Sequence, residues 1–162
     1  MYSIGIITAS DKGSRGERED LSGKAIAETL AQLGEVKQYV IVPDEREVLS
    51  QAMINMADNE KIDIILTTGG TGLGPRDVTP EATLAVIDRQ VPGIPEVMRA
   101  KSLEKTSRAM LSRAVAGLRG KTLIINLPGS PKGVRECLEV ILPALDHGLA
   151  IMKGEAGECA RP

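Results

Sequence analysis

The run Ile-Asp-Ile-Ile-Leu-Thr-Thr at residues 62–68 constrains this chain more than any other stretch, because it is apolar at nearly every position and is bounded by a glycine-rich turn. A strand with one wet face alternates apolar and polar residues, whereas a continuous apolar run suits a strand covered on both faces. Such strands belong to parallel sheets sandwiched between helices. Three further runs read as partners: Ser3 to Thr8, Val36 to Val42, and Thr122 to Leu127. At 162 residues the chain has the length of one domain, and it needs neither disulfides nor a structural metal to bury a core.

Segments with helical spacing lie between these strands. Ile26, Leu30 and Leu33 fall at i, i+4, i+7, and Gly34 follows where a helix C-cap belongs. Residues 45–58 and 79–89 read the same way. A last helix starts near Pro131, and Pro143 should kink it or make it restart near Leu142. Strand and helix alternate, which predicts a three-layer α/β/α fold with a mostly parallel central sheet. Residues 91–121 interrupt that rhythm: VPGIP reads as a turn, 96–104 as a helix, and AVAGLRGKTLIINL as a small hairpin insertion closing at Arg119, Gly120 and Lys121. Phe and Trp are absent, so aliphatic side chains must fill the core; Met53, Met56 and Cys137 fall on faces that suit it.

Charge and composition exclude several functions. Twenty basic against 22 acidic side chains supply no field for nucleic acid, and two tyrosines supply no base-stacking platform. Cys137 and Cys159 lack CxxC spacing, and the single His147 cannot complete an ordinary zinc site with them. His147 reads as a cap or a solvated group near the end of its helix. No stretch approaches the length of a membrane span. A cytoplasmic protein without membrane or nucleic-acid partners is expected.

In an open α/β sheet, ligands bind beyond the carboxyl ends of the strands, where loops and helix N-termini present free N–H groups. The four exits here are residues 8–23, 43–47, 67–83 and 126–133, each dense in Gly, Pro, Ser, Asp or Lys. The third is the most informative. Gly69, Gly70, Gly72 and Gly74 allow positive φ and close backbone approach to phosphate or carboxylate oxygens. Pro75 occupies the third position of a dinucleotide fingerprint, and no P-loop is present. Thr79 and Pro80 satisfy the cap and first turn of the next helix, which leaves Asp77 and Arg76 without a folding duty. They read either as a turn-stabilising Asx motif and surface ion pair, or as a metal-binding carboxylate beside a phosphate-binding guanidinium. Asp44 to Glu47 fits a capping box, the reading sequence alone favours for Asp44. Ser130 and Pro131 read as a cap and first-turn proline, with Lys132 beside them either facing an anion or simply solvated. The charged first loop, with Arg15, Glu17, Arg18, Glu19 and Asp20, is a solvated run or a lid.

These segments, in this order, resemble the MogA/MoaB family, which includes domains related to plant Cnx and animal gephyrin. The matching residues are SD at 10–11, DLSGKA at 20–25, PDE at 43–45, TTGGTGLGPRDVTPEAT at 67–83, VPGIPEVM at 91–98, AMLSRAVAG at 109–117 and LIINLPGSPK at 123–132. The resemblance spans residues 1–154, leaving a short tail at 155–162. It implies a homotrimer whose subunits bind molybdopterin and Mg-ATP and release pyrophosphate as adenylyl-molybdopterin forms. It marks Asp44 and Asp77 as the acidic residues of Mg²⁺-dependent catalysis, against the capping reading of Asp44. It assigns Thr71 and the glycines at 69, 70 and 72 to ligand binding, with Ser10, Asp11, Ser112, Asn126 and the turn Pro128, Gly129 and Ser130; Arg76 or Lys132 would assist a phosphate. The molybdate-insertion protein of the same pathway is the implied partner. Molybdopterin binding without ATP turnover, pyrophosphate cleavage as in the related competence-damage family, and a purely structural trimer are the alternatives.

Overall fold

The computed structural model describes residues 1–155, so Cys159 and the predicted tail beyond Glu155 lie outside the described residues. Strands β1 (Tyr2–Ala9), β2 (Gly34–Val42), β3 (Ile64–Thr68) and β6 (Thr122–Leu127) are parallel neighbours in the order β2-β1-β3-β6. The sheet continues through β5 (Ala116–Arg119) and the short β4 (Arg89–Gln90), both antiparallel to their neighbours. The predicted hairpin is thus β5-β6, turning at Gly120 with φ 54°. All five residues of β3 are buried, as the continuous apolar run required.

Successive strand residues supply two cores. Ile4, Ile6, Ile64, Leu66, Leu123 and Ile125 pack with α2 (Leu21–Thr29), α5 (Gly93–Leu103) and α6 (Pro131–Lys153). Ile7, Ile65 and Ile124 pack on the other face against α3 (Arg46–Ile54), a π-turn at Asn55–Asn59 and α4 (Thr79–Leu84). Met53 and Met56 sit in this second core, and Cys137 in the first. A further short helix, α1 (Asp11–Ser14), follows β1 directly.

Four local expectations are corrected. Gly34 does not cap α2; it opens β2, where a side chain would collide with the Tyr2 carbonyl of the neighbouring strand. The helix predicted over 79–89 stops at Leu84 because residues 89–90 leave to pair with β5. VPGIP is no free-standing turn: Pro92 caps α5, and Gly93, Ile94 and Pro95 form its first turn, where proline is tolerated. Pro143 does not make α6 restart. The helix runs unbroken for 23 residues, with Pro143 exposed and Leu138, Ile141, Leu145 and Leu149 buried around it. Burying four such side chains contributes roughly 1.5–3 kcal/mol each, which outweighs a helical proline's cost of about 3 kcal/mol. His147 therefore lies inside the helix on its exposed side, and the terminus is closed by Gly154 at φ 76°.

Candidate functional site

The four parallel strands end on one edge of the sheet, and the chain reverses its direction of growth between β1 and β3. Their exits meet at this switch point, where Gly69 follows β3 with φ 89° and Gly70 has φ 69°. Any larger residue at 69 would strike the Ala9 carbonyl at the end of β1, only 2.5 Å from a Cβ placed there. At 70 it would crowd Thr79 and lie 3.2 Å from Asp44 Oδ1. These glycines let the third loop close against the first two, a reason for them that lies within the protein itself.

Asp44 is not a helix cap. The N-cap of α3 is Glu45, which makes no side-chain cap bond. The backbone N–H of Asp11 donates to Asp44 Oδ2 at 3.0 Å, and the N–H of Asp44 donates to Asp11 Oδ1 at 3.0 Å. The two loops are thereby clasped, and the capping box gives way to a long-range exchange. Arg76 donates through Nε and Nη2 to Asp11 at 3.1 and 2.9 Å, which holds the Asp11 carboxyl below its usual range. Among the described residues Asp44 has no such direct ion pair: burial chiefly, with the charges of Asp11 and Asp77, pushes its carboxyl above the usual range. Ser10, expected at the ligand, caps α1 by accepting from the N–H of Gly13 at 2.9 Å, and it still lines the cleft.

Asp77 stands at the end of the glycine-rich loop, and its Oδ2 accepts from the N–H of Gly74 at 2.9 Å. Gly72 leaves room for it, since a Cβ there would lie 2.9 Å from the same oxygen. Asp77 therefore stabilises its loop by a bond reaching back three residues, not the forward bond of an Asx turn that one reading expected, while remaining on the cleft wall. Thr79 does not cap α4 either; its hydroxyl donates to the Gly69 carbonyl at 3.0 Å.

Two clefts flank this loop. One, of about 530 Å³, lies over the β1-β3 crevice and is lined by Ser10, Asp11, Asp44, Asp77, Lys12 of α1 and the loop residue Arg18. The other, of about 470 Å³, is lined by Thr71, Gly72, Met98, Arg99, Ser112 and Cys137, whose buried thiol is pushed to a higher pKa than usual. Gly70, Asp77 and Gly129 line both, so they form a shared ridge. The Pro128-Gly129 turn is fixed by hydroxyl donors: Thr68 Oγ1 to the Pro128 carbonyl and Ser22 Oγ to the Gly129 carbonyl, each at 2.7 Å. Ser130 caps α6 as expected and lines the second cleft.

Three expected ligand residues are placed elsewhere; one is Arg76, which lines neither cleft and is held by Asp11. Lys132 lines neither cleft; its side chain is 87% exposed, with its nearest carboxylate oxygen, on Glu136, 4.0 Å away. That is the solvated alternative. Asn126 is fully buried and its amide is spent inside the protein, donating to Thr67 and Thr83 hydroxyls at 3.0 and 2.9 Å and accepting from the Val115 N–H at 3.2 Å. Its place on β6, facing α4, leaves it beneath the ridge. Sequence reasoning missed Arg99 and Arg113. Arg99 donates to the Ala114 carbonyl at 2.9 Å and lines the second cleft; the only sequence signal was a basic residue one turn into a helix beside a polar segment.

Among the described residues no group of three or more His, Cys, Asp or Glu side chains converges to hold a metal ion. Asp44 and Asp77 are a pair of carboxylates, which fits Mg²⁺ taken together with substrate phosphates, because Mg²⁺ is commonly held by one or two carboxylates and completes its shell with phosphate and water.

Residues 5–147 match a family model described as "Probable molybdopterin binding domain". Similar curated proteins include the molybdopterin adenylyltransferase of Helicobacter pylori strain J99, 48% identical over 93% of this chain and 88% of that protein. The Escherichia coli K12 molybdopterin adenylyltransferase is 41% identical over 87% of this chain and 74% of its own length. Among solved structures, the molybdopterin biosynthesis enzyme MoaB from Thermus thermophilus superposes with a TM-score of 0.91 at 54% identity, covering 98% of this chain and all of that one.

Proposed function

The chain belongs to the molybdopterin-binding domain family, and on that premise we propose that it is a molybdopterin adenylyltransferase of molybdenum cofactor biosynthesis. The observation that carries this reading is the ridge: two clefts share one wall, the Asp77 carboxylate stands on it, and Asp44 lines the first cleft close enough to feel the charge of Asp77. A group transfer between two substrates needs that arrangement, whereas a simple binding protein needs only one cleft.

In the reaction a phosphate oxygen of molybdopterin attacks the α-phosphorus of ATP. A new P–O bond forms, the bond from the α-phosphorus to the oxygen bridging to the β-phosphate breaks, and pyrophosphate leaves. Both reactants are anions, so the site must offset their repulsion. Asp44 and Asp77 would hold Mg²⁺, which supplies that positive charge at the phosphates. The ionised Asp44 is costly in its present surroundings, where burial and two like charges oppose it; a cation removes that cost. Backbone N–H groups of residues 69–72 and the Thr71 hydroxyl orient phosphate, Ser10 and Asp11 shape the nucleotide side, and Ser112 with the Pro128, Gly129 and Ser130 turn shapes the second cleft. Arg76 is already engaged by Asp11 and acts on phosphate only by releasing it.

Purified protein given ATP, molybdopterin and Mg²⁺ should form pyrophosphate and adenylyl-molybdopterin in equal amounts. Pyrophosphate bond cleavage without molybdopterin would favour the pyrophosphatase alternative, and molybdopterin binding with no product would favour the binding-protein alternative. The working form is a cytoplasmic homotrimer that hands its product to the molybdate-insertion protein. Exposed apolar side chains such as Leu73, Met110 and Leu111 support association, and multi-angle light scattering should report three copies; a monomer at micromolar concentration would contradict it.

A further inference from the structure

Residues 72–77, between the two clefts, are largely exposed and have few bonds of their own. The N–H of Asp77 reaches the Gly74 carbonyl at 3.0 Å and the N–H of Gly74 returns to Asp77 Oδ2 at 2.9 Å. Ordering such a segment opposes roughly 1–2 kcal/mol of backbone entropy per residue, so two internal bonds cannot fix it.

Arg76 ties one point of the segment to Asp11 through an exposed guanidinium, and Arg113 restrains both of its ends. Arg113 leaves the 3₁₀ turn Ser107–Leu111 on the way to β5, and its backbone N–H donates to the Thr71 carbonyl at 2.9 Å. Its guanidinium then takes the carbonyls at both ends of the segment, Nε to Gly72 at 2.7 Å and Nη2 to Asp77 at 2.6 Å. The remaining arm, Nη1, pairs with Glu81 in the first turn of α4. Burial is the largest single influence on Glu81 and works against its charge, yet the hydrogen bond and charge of Arg113, with a backbone hydrogen bond and the charge of Arg46, together outweigh it and hold the carboxyl below its usual range. One planar fork thus ties Gly72, Asp77 and α4 to the segment before β5, whose Ser112 and Ala114 border the second cleft. Lysine, whose three donors share one nitrogen, cannot span these three separated acceptors.

We propose that Arg113 is a positioning residue that holds Asp77 on the ridge, and thereby sets the affinity of the Asp44–Asp77 pair for a metal-nucleotide complex. This rests on the adenylyltransferase reading for the identity of that ligand, while the restraint itself does not.

The test compares wild type, Asp77→Asn, Arg113→Gln and the double variant, each checked for folding by circular dichroism. Without any ligand, amide hydrogen exchange over residues 71–79 should accelerate about tenfold or more in Arg113→Gln, and Arg113→Lys should not restore protection. Calorimetric titration with MgATP, against ATP with a chelator, should show a metal-dependent gain in affinity that Asp77→Asn and Arg113→Gln each reduce about tenfold or more. The double variant should bind no more weakly than Asp77→Asn alone, because Arg113 acts through Asp77. Unchanged exchange over 71–79 in Arg113→Gln, or losses that multiply in the double variant, would overturn this inference alone. Wild-type MgATP affinity in Asp77→Asn would overturn it together with the metal role given to Asp77.

Discussion

Asn126 separates what the fold requires from what a ligand requires. Replacing it with alanine removes both donations to Thr67 and Thr83 and the bond accepted from the Val115 N–H, all beneath the ridge. At about 1 kcal/mol per bond the loss is about 3 kcal/mol, and the orphaned Val115 N–H adds about 1 kcal/mol more. For a domain this size, about 4 kcal/mol corresponds to a fall in Tm of roughly 8–16 °C. Aspartate is no safe isostere. Thr83 already commits its hydroxyl proton to the Thr79 carbonyl at 2.8 Å, so it can only accept from residue 126, and a carboxylate there would face a lone pair. Denaturant and thermal melts of Asn126→Ala and Asn126→Asp should both show a large loss. An Asn126→Ala protein that melts within about 2 °C of wild type but loses substrate affinity would refute the structural assignment and restore Asn126 to the ligand.

Asp44→Asn should keep the bond accepted from the Asp11 N–H while removing a carboxylate whose folded-state pKa is raised above its unfolded value. Such a group favours the fold when protonated, and that contribution is lost as pH rises through the raised pKa. The Tm of Asp44→Asn relative to wild type should therefore increase between about pH 3 and about pH 7, and a constant difference would contradict the burial and repulsion at this site. Pro143→Ala, at an exposed helix-interior position, should stabilise the protein by about 2 kcal/mol, read as a Tm rise of roughly 4–8 °C; an unchanged or lower Tm would mean that α6 depends on the proline.

The sheet was legible because its evidence is local. The apolar run at 62–68 and the Gly120 turn each encode their structure within a few residues, and the Ser130-Pro131 cap does the same. The site was legible as a set of loops but not as a set of contacts. Asp44 reads as a helix cap because Glu47 lies three residues on, yet its real partner is Asp11, 33 positions away. Gly34 and Thr79 mislead for the same reason: a neighbouring strand decides the first and the Gly69 carbonyl the second. Arg113 left no local signal. Its acceptors are main-chain carbonyls of a distant loop, and any residue type can offer those.

The proposed chemistry depends most on Asp44 and Asp77 serving the reaction at the ridge rather than the stability of the loops. Adenylyl-molybdopterin formation from ATP and molybdopterin at saturating Mg²⁺, measured in wild type, Asp44→Asn and Asp77→Asn beside their melting curves, tests that directly. Both variants should fold, Asp77→Asn melting close to wild type and Asp44→Asn no lower than wild type at neutral pH, because asparagine can keep the bonds accepted from the Asp11 and Gly74 N–H groups. Their turnover should fall by about two orders of magnitude or more, since the charge that would hold the metal is gone. Wild-type turnover in either folded variant would remove that residue from the proposed chemistry, and wild-type turnover in both would contradict the account.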